Sequence, residues 1–142
     1  MKKSRILYLC LTLFTLAFIW GNSAMPGEIS GEISGSLFEV LEPLLAPFGS
    51  KGEFVLRKIG HFSEFTALGF LLAGLTRQDK LKLSRLPCPL FLGLLCACLD
   101  ETIQIYSPGR FSSLTDVWID FSGVCLGLLL SLAIYALLRR RH

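Results

Sequence analysis

Four long apolar runs, at about residues 6–20, 54–75, 86–106 and 117–138, are separated by short polar or charged stretches. At a rise of 1.5 Å per residue, about 20 helical residues cross a hydrocarbon layer roughly 30 Å thick. Runs two to four meet that length and the first is slightly short. The pattern predicts an all-α membrane protein: a four-helix transmembrane bundle in a single domain covering residues 1–142. The first run also resembles a secretory signal peptide, because it pairs the basic start "MKKSR" with "GNSA" at its end. Asn22 would sit three residues from a cleavage after Ala24, where small apolar residues are preferred, so retention as a helix is expected.

Between the first two runs lies a long loop that opens with the tandem repeat "GEISGEIS", Gly27 to Ser34. Two units are too few for a solenoid, and the glycine and serine content suggests a flexible polar strip. Beyond it, Leu37, Val40, Leu41, Leu44 and Leu45 fall at helical spacing. Pro43 and Pro47 limit them to a short helix, placed in the membrane interface or capping the bundle.

Composition agrees with the pattern. Hydrophobic residues make up 52% of the chain, mean hydropathy is +0.58, and charged residues are 18% where soluble domains carry about 25%. The five cysteines, Cys10, Cys88, Cys96, Cys98 and Cys125, all lie in or beside apolar runs, and are expected to be buried, reduced packing residues. No basic patch interleaved with aromatics suggests nucleic acid.

Charge placement orients the helices. Lys2, Lys3 and Arg5 precede the first run, Arg77, Lys80, Lys82 and Arg85 follow the second, and "RRRH" ends the chain. The first long loop instead carries Glu28, Glu32, Glu39, Glu42 and Glu53 against Lys51, a net −4. Basic segments stay cytoplasmic, so both termini are expected inside and the acidic loop outside.

The few charges within the apolar runs then share one level. Lys58, His61 and Glu64 lie near the start of the second run, Asp100, Glu101 and Gln104 near the end of the third, and Asp116 and Asp120 at the start of the fourth. Arg110 lies in the connection between the last two. An ionisable group within the membrane costs about 2.5–3.5 kcal/mol on insertion scales, so such groups line bundle interiors. A polar pocket in the outer third of the bilayer is the expected result. Five acids (Glu64, Asp100, Glu101, Asp116, Asp120) face three fixed cations (Arg57, Lys58, Arg110). Protonation of His61, protonated carboxylates or a bound cation could close that deficit. A polar network that only clamps the helices together competes with a ligand pocket. Gly123 and Gly127 form a GxxxG, read as close helix packing, with a homo-oligomer interface as the alternative.

Two stretches, "KIGHFSEFTALGF" (Lys58 to Phe70) and "LDETIQIYSPGRFSSLTDVWIDFSGVCLG" (Leu99 to Gly127), resemble the signatures of the VanZ-like family. "FIWGNSAMPGEIS" is similar to that family's passage from its first span into a polar loop. These are small proteins of the bacterial cytoplasmic membrane, and the namesake is associated with resistance to the glycopeptide teicoplanin. The resemblance implies that Lys58, His61, Glu64, Asp100, Glu101, Gln104, Arg110, Asp116 and Gly123 carry the family pattern. Phe65 stands where the family often has Tyr, and Asp120 where Asn is also common.

Three functions fit this pattern. The first binds or modifies a cell-envelope component, with Lys58 and Arg110 engaging phosphate or carboxylate of a lipid-linked cell-wall precursor or of the glycopeptide. The second is catalysis on a lipid-linked phosphate, with His61, Glu64, Asp100 and Glu101 as catalytic candidates. No HExxH, GxSxG or P-loop accompanies them, and no residue is assigned as a metal ligand. A divalent cation on His61, Asp100, Glu101 and Asp116 remains a variant of the catalytic case. The third is transport, disfavoured by four helices without an inverted repeat and by charges that stop halfway across.

Overall fold

The computed structural model describes residues 3–76 and 86–140, and every regular element among them is helical. Helix α1 is Lys3–Ala24, α2 is Gly27–Leu45, α3 is Gly52–Thr76, α4 is Pro87–Tyr106 and α5 is Leu114–Arg140. A short 3-10 turn, Ala46–Lys51, joins α2 to α3. Helices α1, α3, α4 and α5 are long and apolar enough to cross a membrane, and they coincide with the four runs expected from the sequence. The basic connection at residues 77–85, used above to orient the chain, lies outside the described residues.

Burial is inverted relative to a water-soluble domain. Phe14, Phe91, Trp118 and Leu129 project outward, while Asp100, Asp120 and Ser23 are enclosed. In water that arrangement would be costly. In lipid it is expected, because exposed apolar side chains meet hydrocarbon and polar ones must find partners inside the protein.

The core gathers Ile19, Phe65, Leu68, Leu72, Ala97 and Val124 between the four long helices. The most extensive interface joins α3 to α5, and small residues make it possible. A Cβ at Gly123 would meet the Phe62 carbonyl, one at Gly127 the Thr66 carbonyl, and one at Gly69 the Val124 backbone. The GxxxG face is therefore occupied by α3 of the same chain. All five cysteines are free thiols. Cys96 is buried and Cys125 partly so, whereas Cys10, Cys88 and Cys98 are exposed, which corrects the expectation that all five pack inside.

A second correction concerns α2. The "GEISGEIS" repeat is not a flexible strip, and the helix is not short: it runs for 19 residues with Pro43 inside it. Local and tertiary bonds explain this. Pro26 precedes the first turn, the Gly27 amide donates to the Pro108 carbonyl (2.8 Å), and the Ser30 amide to the Pro26 carbonyl (3.1 Å). The Ser34 hydroxyl caps back onto the Ser30 carbonyl (2.8 Å) and donates to Glu53 of α3 (3.0 Å). Pro43 comes late enough that little helix remains to be disrupted. Ile29, Ile33, Leu37, Val40 and Leu44 form an exposed apolar stripe, as a helix lying in a membrane interface would present.

Candidate functional site

The charged residues lie at one end of the bundle because of the up-and-down connectivity. That end receives the beginnings of α3 and α5, the ends of α1 and α4, and the loop between α4 and α5. A cavity of about 480 Å³ opens there. Lys58 and His61 of α3, Glu101 and Gln104 of α4, Arg110 of the loop, and Asp116 and Asp120 of α5 all line it. Seven of the nine expected binding residues thus share one cavity. Asp100 lies behind its wall, fully buried, and Glu64 turns elsewhere.

Glu64 departs for a geometric reason. Steps of three residues fall about 60° short of a full helical turn, so Lys58, His61 and Glu64 wind around α3 instead of holding one face. Lys58 faces α5, where it pairs with Asp116, and stands 4.9 Å from the Phe54 ring centroid. Glu64 faces α1 and accepts a hydrogen bond from Asn22 Nδ2 (3.2 Å). His61 lies between, lining both the main cavity and a smaller one of about 170 Å³ formed with α1 and α2.

The adjacent acids on α4 do different work. Glu101 accepts the Ser113 amide (2.8 Å), one residue before α5 begins. The Ser113 hydroxyl in turn accepts the Thr115 amide (3.2 Å), and its carbonyl the Asp116 amide (2.9 Å). A carboxylate at that helix start satisfies an otherwise orphaned donor and complements the helix dipole. Asp100 instead accepts from Gln104 Nε2 (2.8 Å) through Oδ2, and its Oδ1 has no partner.

Arg110 makes no ion pair among the described residues. Its Nη2 donates to the Asn22 carbonyl (2.8 Å) and its Nε to the Met25 carbonyl (3.3 Å), closing the end of α1. Burial, with the neighbouring Arg57 charge, pulls its pKa below the usual arginine value, while Asp100, Glu101 and Glu64 pull it back up. The Ser107 hydroxyl reinforces the clasp through the Ser23 carbonyl (2.9 Å), and Gln104 reaches Ser23 Oγ (3.4 Å). Gly109, at φ +71°, turns the chain here, and its carbonyl leaves no room for a Cβ on Gly27. Asn22, Ser23, Ser107 and Ser113 are site residues that the sequence pattern does not mark as such. Their one signal was position, as small polar residues at the ends of apolar runs.

The cation set left open above is rearranged. Glu101 and Asp116 are held by Ser113 and Lys58, so they do not join His61 and Asp100. Asp120, at a position where the family also carries Asn, does: it is 1% exposed, with both carboxylate oxygens lacking hydrogen-bond partners.

Four membrane-length helices, with the charged side chains inside α3, α4 and α5 gathered toward one end, define a multi-pass membrane protein with a terminal polar cavity. The chain matches the VanZ/LLP1 family over residues 6–137 and belongs to that VanZ-like family. Searches of curated proteins and of solved structures matched nothing.

Proposed function

We propose that this VanZ-like protein binds an anionic group of a cell-envelope component in its terminal cavity, at the outer leaflet of the bacterial cytoplasmic membrane. We further propose that it contributes in this way to glycopeptide (teicoplanin) resistance, as its family namesake is associated with doing. The observation that carries the binding reading is Arg57. Its Nη2 is engaged by Glu53 (3.2 Å), but its Nε is buried without an acceptor, and the residue borders both cavities. The Arg57 side chain is 37% exposed, so a phosphate or carboxylate oxygen can approach its guanidinium and supply a further acceptor. The cavity has the size of a small-molecule site, and Phe54, Phe111 and Ile119 give it apolar walls beside its charges. The acidic 21–53 segment, against basic residues at the opposite end of the helices, supports an outer-leaflet placement.

The test is lipid and precursor analysis of protein purified in mild detergent. Wild type should retain an anionic envelope component that Arg57→Gln loses at equal membrane level. Identical retention would overturn the binding reading. Expression should also raise the teicoplanin concentration that cells survive, and no rise would overturn the resistance role. Chemistry on a lipid-linked phosphate is the second reading, favoured by His61, on the cavity wall, lying beside the carboxylates of Asp100 and Asp120. It requires a turnover that His61→Ala abolishes.

A further inference from the structure

We propose that His61 Nδ1, one carboxylate oxygen of Asp100 and one of Asp120 form a binding site for a divalent transition-metal cation. The three side chains come from α3, α4 and α5, and one donor atom from each lies within 4.8 Å of the other two. His61 Nδ1 is 3.8 Å from Asp100 Oδ2 and 3.9 Å from Asp120 Oδ1. Those separations are too long for hydrogen bonds. Donors about 2.0–2.2 Å from a shared tetrahedral ion stand about 3.3–3.6 Å apart, so the three side chains must draw together to enclose an ion, His61 Nδ1 by roughly half an ångström toward each carboxylate.

Independent observations point the same way. His61 Nδ1, Asp100 Oδ1 and both Asp120 oxygens are buried without hydrogen-bond partners, and Asp100 and Asp120 are 0% and 1% exposed. Lys58 pairs with Asp116, and Arg110 donates to backbone carbonyls; among the described residues no lysine or arginine pairs with Asp100 or Asp120. Two carboxylates and a neutral imidazole carry −2, which a divalent ion cancels. Uncompensated charge at this depth is strongly destabilising.

Gln104 fixes Asp100 through Oδ2, the oxygen that stands 3.8 Å from His61 Nδ1, while Oδ1 has no partner; an outer partner of this kind orients a metal ligand. One imidazole and two carboxylates suit Mn²⁺, Fe²⁺ or Zn²⁺. Three protein donors leave a coordination position for water or a ligand oxygen, and His61 and Asp120 both border the cavity. The metal site stands independently of the ligand proposed for that cavity.

Full-length protein in detergent, stripped with chelator and titrated with Mn²⁺ alone, tests the site. One Mn²⁺ per chain is expected. Asp120→Asn and His61→Gln should each weaken binding by more than the roughly 10–100-fold that follows loss of an outer partner, while the exposed-site control Glu28→Gln leaves it unchanged. The wild-type Mn²⁺ complex should show ¹⁴N coupling in pulsed electron paramagnetic resonance, from the imidazole, a readout that needs no variant to fold. Absence of a saturable site, absence of that coupling, or unchanged affinity in folded Asp120→Asn would overturn the proposal. None of these outcomes bears on lipid retention through Arg57.

Discussion

Arg110 and Glu101 show how residues chosen for their charge can serve mainly to position backbone. Arg110 holds the Asn22 and Met25 carbonyls at the end of α1, and Glu101 holds the amide before α5 begins. Hydrogen bonds to charged groups contribute about 1.5–3 kcal/mol. Arg110→Ala is therefore expected to lower stability by about 2 kcal/mol or more in detergent unfolding. Arg110→Lys should recover only part of that, because an ammonium cannot reproduce the planar fork. Glu101→Gln keeps an acceptor for Ser113 and should cost less than about 1 kcal/mol, whereas Glu101→Ala leaves the donor unpaired and should cost about 1–3 kcal/mol. A larger loss for Gln than for Ala would rule out the capping role.

At the scale of elements, helix α1 and the α3–α5 interface make opposite demands on sequence. Removing α1 after Ala24 would take away Asn22 and Ser23, which hold Glu64, Gln104, Ser107 and Arg110. The purified chain is accordingly expected to keep residues 1–24, and its intact mass checks this against signal-peptide cleavage. In α5, Gly127→Ala drives a Cβ into the Thr66 carbonyl and should cost about 1–3 kcal/mol by overpacking. In α2, Gly31 has open space for a Cβ, so Gly31→Ala should gain up to about 1 kcal/mol of helix propensity. Equal unfolding midpoints for the two variants would contradict the packing described here.

For the whole molecule, the consequence is that charges enter the spans from the cavity end only, and the stretches beyond them carry none. The α3 stretch after Thr66, the α4 stretch before Asp100 and the α5 stretch after Asp120 carry no Asp, Glu, Lys, Arg or His up to Thr76, from Pro87 and up to Leu138 respectively. If the cavity end faces outward, a single cysteine introduced at Ser36 in a cysteine-free background reacts with a membrane-impermeant maleimide in intact cells. One at His142 reacts only after permeabilisation. The reverse pattern would place the cavity on the cytoplasmic side and remove the outer-leaflet proposal.

Much of this was legible in the chain because membrane helices are local objects. Twenty apolar residues satisfy their own backbone within one segment, so number, bounds and antiparallel order of the spans follow from hydropathy, and the shared level of Lys58, His61, Asp100 and Asp116 follows from that order. Which charges meet was not legible. That depends on the rotation of each helix about its axis, set by the close approach of Gly123 and Gly127 to α3, and it exchanged Glu101 and Asp116 for Asp120 beside His61. The helical state of "GEISGEIS" was likewise decided by contacts with Pro108 and Glu53, 81 and 19 residues away from Gly27 and Ser34, which no local propensity of glycine and serine could reveal.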